Sequence, residues 1–116
     1  MRLILFILAL LPAYALAQTI TDNGNYLETT CRGGEGRAEV FDGSGGYDSG
    51  VVTLQFFSEA TGAWETLCPT ASECQWSSGD SGAVPWDLGA RGKVRLNVAS
   101  VAAASADIDA EIICGR

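Results

Sequence analysis

Apolar and polar residues alternate with a period of two along much of the chain. Val52, Leu54 and Phe56 fall on one side of an extended segment, with Thr53 and Gln55 on the other. Val94, Leu96 and Val98 alternate with Lys93, Arg95 and Asn97, and Ala106, Ile108, Ala110 and Ile112 alternate with Asp107, Asp109 and Glu111. Val84, Trp86 and Leu88 repeat the pattern, as do Ala38 and Val40 between Arg37, Glu39 and Phe41. Successive side chains of a strand point to opposite faces, so each run predicts a half-buried β-strand. Shorter strands are expected at Tyr26–Cys31, Ala63–Cys68 and Glu73–Trp76.

Glycine separates these runs, at Gly33-Gly34, between Gly43 and Gly50, at Gly62, at Gly79 and Gly82, and at Gly89 and Gly92. Tight turns need backbone conformations that glycine adopts without a steric penalty. No helix-period segment of useful length follows residue 17, and Val98–Ala106 reads as a loop or a single helical turn. The expectation is an all-β fold: a small antiparallel β-sandwich, jelly-roll or Ig-like, of seven to eight short strands.

The amino-terminal residues have a different pattern. Met1-Arg2 precedes an unbroken apolar run from Leu3 to Leu11, Pro12 interrupts it, and Ala15-Leu16-Ala17 has the small-x-small form that signal peptidases cut. Residues 1–17 therefore read as a signal peptide, with Gln18 as the new terminus; the apolar run is short for a bilayer span. Residues 18–25 read as a flexible N-terminal arm and 26–116 as the β-sandwich domain. The chain is expected to be secreted, to a periplasm or an extracellular surface, without membrane insertion after cleavage.

Export gives the cysteines a role. Cys31, Cys68, Cys74 and Cys114 are an even number in a small domain, which in an oxidising compartment reads as two disulfides that staple the sandwich. Three connectivities are open. Cys68–Cys74 with Cys31–Cys114 is preferred, because residues 69–73 form a short turn-like loop and the second pair would join the first strand to the last. Zinc on all four cysteines is disfavoured, since Cys31 and Cys114 each stand alone.

Charge and missing residue types narrow the function. The 14 acidic residues outnumber 7 basic ones, of which Arg2 lies in the leader, so the processed chain carries −8. Nucleic-acid binding needs a positive footprint and is not expected. No histidine is present, which removes Ser-His-Asp and Cys-His nucleophilic systems. Gly79-Asp80-Ser81-Gly82 matches the tetrapeptide around the chymotrypsin-type nucleophile, but without a base the match is a turn. A glycosidase carboxylate pair would need a cleft that a chain this short does not readily build. No enzyme activity and no cofactor are expected. Asp42 to Asp48 is rich in oxygen ligands and glycine, which makes Asp42 and Asp48 calcium candidates, although the closing bidentate glutamate of an EF-hand is missing. Trp64 and Trp86 are assigned to the core. Trp76, two residues after Cys74, is assigned to the surface and forms with Tyr47 the candidate contact site.

Gly50-Val51-Val52-Thr53-Leu54-Gln55-Phe56-Phe57-Ser58, followed by Gly62-Ala63-Trp64-Glu65-Thr66-Leu67, resembles a pattern of small phage and prophage virion structural proteins, of decoration or fibre type. There a glycine-led V-T-L-Q strand passes through a short turn to a strand that opens with tryptophan. Gly89 to Val98 and Ser105 to Ile108 are similar to that family's closing hairpin. The resemblance implies a β-sandwich used without catalysis. This chain differs in its turn, Glu59-Ala60-Thr61-Gly62, in its four cysteines and in its export signal. A prophage-derived or phage-carried protein displayed outside the cell accommodates all three.

The expected function is a non-catalytic exported binding or structural module, a phage- or prophage-related surface or decoration protein. Its partner would be a capsid, fibre or cell-surface protein, and self-association is compatible with that role. The alternatives are an extracellular glycan-binding or adhesion module and a small secreted inhibitor.

Overall fold

The computed structural model describes residues 14–46, 50–68, 71–77, 80–101 and 107–115. Among them are nine strands: β1 Tyr14–Ile20, β2 Gly24–Cys31, β3 Glu35–Gly46, β4 Val51–Ser58, β5 Ala63–Thr66, β6 Gln75–Trp76, β7 Gly82–Asp87, β8 Gly92–Ala99 and β9 Asp107–Cys114. One 3₁₀ turn, Ala71–Cys74, precedes β6. All strand pairs are antiparallel and form two sheets, a four-stranded one ordered β1-β9-β3-β7 and a five-stranded one ordered β2-β8-β4-β5, with β6 also on β4.

The pairs β1–β9, β2–β8, β3–β7 and β4–β5 nest inside one another in sequence. They alternate between the two sheets. A long antiparallel hairpin rolled up in this way is a jelly roll, and β6 is a two-residue addition to it. The all-β sandwich expectation thus holds, and jelly-roll rather than Ig-like connectivity describes it.

The alternation seen in sequence is the alternation of burial. Val52 and Leu54 of β4, Val94, Leu96 and Val98 of β8, and Ile108, Ala110, Ile112 and Cys114 of β9 point between the sheets and are buried. Ile20, Ala38, Val40, Trp76 and Trp86 complete that core, and no polar or charged residue is buried among the described residues. In β2 a bulge between Tyr26 and Thr29 sets Leu27 at φ 57°. The extra residue lets both Tyr26 and Leu27 pack against the core. Gly36 lies opposite Trp86, and a Cβ there would stand 2.8 Å from Trp86 Cζ2, so the indole needs a glycine beneath it. Pro85 sits in β7, an edge strand, where its missing N–H leaves no central ladder broken.

Both cystines have the preferred connectivity. Cys31–Cys114, with Cα atoms 5.2 Å apart, ties the end of β2 in one sheet to the end of β9 in the other. Cys68–Cys74, at 5.7 Å, closes the short loop between β5 and the 3₁₀ turn.

Two sequence expectations need correction. Residues 18–25 are not a loose arm. Gln18 to Ile20 pair with Ala110 to Ile108, and Ile20 is fully buried. Asn23 accepts from Val101 N at 2.8 Å and donates to Val101 O at 3.2 Å, which fastens the β1–β2 connection. The sheet also extends before residue 26, and indeed before residue 18: β1 runs through the expected cleavage point. A chain cut after Ala17 keeps only Gln18–Ile20 of that strand. Within β3, Asp42 stands opposite Ile108 and Gly46 opposite Asp107, so residues 43–45 are extra to the ladder and the register shifts there.

Candidate binding face on the five-stranded sheet

Because Val52 and Leu54 face inward, Thr53, Gln55 and Phe57 face outward. The same parity turns Lys93, Arg95 and Asn97 of β8 outward. Register then assembles a surface. Gln55 is opposite Arg95 and Thr53 opposite Asn97, while Phe57 is opposite Trp64 of β5 and Thr30 of β2 is opposite Lys93.

The aromatic and cationic side chains of this face contact one another. The Phe57 and Trp64 rings meet edge to face, with centroids 5.5 Å apart and planes 70° apart. Arg95 Cζ lies 4.1 Å from the Trp64 centroid, and Lys93 Nζ lies 4.9 Å from the Phe57 centroid. Each cation is attracted by the ring quadrupole, by about 0.5–1 kcal/mol where it is solvent-exposed. Arg95 Nε also donates to Gln55 Oε1 at 2.9 Å, so its guanidinium is held from two directions. Farther along, Asn97 Nδ2 donates to Asn25 Oδ1 at 2.9 Å. Beside the rings lies a groove of about 520 Å³, lined by Thr30, Phe57, Glu59, Arg91, Gly92 and Lys93.

The opposite outer face has the reverse charge. Glu39 and Glu111 are directly opposite each other there, as are Phe41 and Asp109. Thr19 Oγ1 donates to Asp109 Oδ1 at 2.8 Å. Arg37 forms a salt bridge with Glu39 at 2.9 Å. The sandwich is thus polarised, with Arg91 just before β8 and Lys93 and Arg95 within it, three of the seven basic residues of the chain.

The sequence-assigned contact residues lie elsewhere. Trp76 is 4% exposed, because β6 pairs with β4 so that Trp76 stands opposite the inward-facing Val52. It is a core residue. Trp86 is core, as expected. Trp64, assigned to the core, is half-buried on the outer face, because its partner is Phe57. Tyr47 and Asp48 lie outside the described residues. The backbone of Asp42 belongs to β3, at the start of the register shift that ends at Gly46. Asp80 serves a turn, in which its carboxylate accepts from Ser77 N at 3.0 Å and Ser77 Oγ at 3.2 Å. No group of three potential metal ligands occurs among the described residues.

The sequence held one signal for this face. Phe57 follows Phe56 and is out of phase with Val52 and Leu54, so one of the two rings had to point outward. Comparisons with protein families, curated proteins and solved structures found no match.

Proposed function

We propose that the chain is a non-catalytic exported binding module, of the phage- or prophage-related surface kind, that attaches to its partner through the outer face of the five-stranded sheet. One observation carries this reading: two cations are held against two aromatic rings on the outside of a sheet, in a chain that is acidic overall. Arginine and tryptophan dominate the binding energy of interfaces, and preorganised side chains lose less entropy on association.

Other features support it. The stretch from Gly50 to Leu67 that resembles virion structural proteins is the stretch that builds β4 and β5, and so supplies Phe57 and Trp64. Jelly rolls serve in capsids and in lectins, a fold-level analogy for binding rather than for a particular ligand. Two structural cystines fit an oxidising compartment. No helix among the described residues is long and apolar enough to cross a membrane.

The test compares the wild type with Phe57→Ala/Trp64→Ala for retention on cells and virions from the producing culture. Circular dichroism checks the fold of each protein. A loss of tenfold or more in the double variant is expected, with Glu39→Gln/Glu111→Gln, on the opposite face, retained as wild type. Equal retention of the ring variant would overturn the proposal.

A further inference from the structure

We infer that the groove beside Phe57 binds an acidic carbohydrate chain of low charge density, one that carries carboxylates on some of its sugars. This rests on the binding role proposed above and adds the class of ligand.

The size of the site is the first argument. Thr30, Lys93, Phe57 and Trp64 form a row across β2, β8, β4 and β5, with the Lys93 and Phe57 contact joining its two halves. Four adjacent strands span roughly 14 Å, the length of about three pyranose rings. The groove volume, 520 Å³, suits the portion of such a chain that enters it.

The chemistry of the lining is the second. Arg91 and Lys93 offer positive charge to a carboxylate, and Phe57 offers an apolar surface to the C–H face of a sugar. Glu59 lines the same groove. A carboxylate there accepts hydrogen bonds from sugar hydroxyls and repels a second anion. A ligand with isolated charges between hydroxyl-rich stretches satisfies both, whereas a densely sulfated or phosphorylated polymer meets Glu59. It also meets the field of a chain with formal charge −7. The face beyond the groove is furnished for hydroxyls, with the amides of Gln55, Asn97 and Asn25. The site thus selects for sparse negative charge on a polyhydroxy chain.

The experiment is a titration of the ¹⁵N-labelled protein, followed by NMR, with four probes of similar length: a polyuronate hexasaccharide, a neutral glucan hexasaccharide, a heparin hexasaccharide and an oligoglutamate. The polyuronate is expected to move the amides of Phe57 and Lys93 and the Trp64 indole, and to bind at least fivefold more tightly than each other probe. Lys93→Gln should weaken it roughly fivefold, as loss of one exposed charge contact does, and Glu39→Gln should leave it unchanged. Equal binding of the neutral glucan would overturn the requirement for charge, and tightest binding of heparin would overturn the low charge density. Oligoglutamate at least as tight as polyuronate at these residues would overturn the carbohydrate class. In those three outcomes the binding face itself survives. If no probe moves these residues at millimolar concentration, the ligand class is wrong, and the retention assay with Phe57→Ala/Trp64→Ala decides the binding role separately.

Discussion

Replacing Cys31 and Cys114 together by alanine removes the disulfide that joins the two sheets. The two cysteines are 83 residues apart in sequence, against 6 for Cys68 and Cys74. In the chain-entropy account, a closed loop of that larger size restricts the unfolded chain by about 4.6 kcal/mol, and the smaller one by about 2.4 kcal/mol. Both half-cystines of the long-range bridge are fully buried, so their removal also leaves space in the core. The long-range pair should therefore cost at least about 2 kcal/mol more than the local one. That is a large fraction of the stability of a small domain, about 5–15 kcal/mol. Urea unfolding at 25 °C of the wild type, Cys31→Ala/Cys114→Ala and Cys68→Ala/Cys74→Ala measures the difference. With a slope of roughly 1–1.5 kcal/mol per molar urea, the two double variants should differ in midpoint by about 1.5–2 M. An equal drop in both, or a larger one for the local pair, would refute the assignment of the inter-sheet bridge as the principal staple.

Gly34→Ala should destabilise by about 2 kcal/mol or more, read by thermal melting. Gly34 has φ 80° and is buried, and an added Cβ would meet the Ala90 backbone, with its carbonyl carbon at 2.8 Å. Glu111→Lys should stabilise by roughly 0.5–1 kcal/mol, because it turns a directly opposed like-charge pair with Glu39 into an attractive one; the gain should shrink in 0.5 M salt. A chain that begins at Gln18 lacks the rungs from Tyr14–Cys114 to Ala17–Glu111, so β9 amides that face β1 should exchange with deuterium roughly tenfold faster than in the uncut chain.

The strands that were legible in sequence are those with one wet face. β4, β8 and β9 keep strict alternation because each packs one side on the core and shows the other to solvent. The cystine pairing was legible too, since a five-residue loop brings Cys68 and Cys74 together without help from the rest of the fold. β1 was not, because Tyr14 to Ala17 follow the apolar run and carry a cleavage-site pattern that reads as the end of a leader rather than as a strand. The tryptophans failed for a different reason. Trp64 and Trp76 sit in strands of four and two residues, too short to show a phase of their own. Their faces are set by the residues opposite, Phe57 and Val52, and cross-strand register is a tertiary fact. The cations of the binding face were visible as the polar side of β8, but nothing local showed that Phe57 and Trp64 would lie against them.

Hydroxyl-radical footprinting of the protein, free and retained on the surface of its producing cells, tests the binding face most directly. Phe57 and Trp64 report on one side of the sandwich, and Phe41, 46% exposed, reports on the other. The account predicts protection of Phe57 and Trp64 on binding, with Phe41 oxidised as before. Protection of Phe41 while Phe57 and Trp64 react unchanged would contradict it.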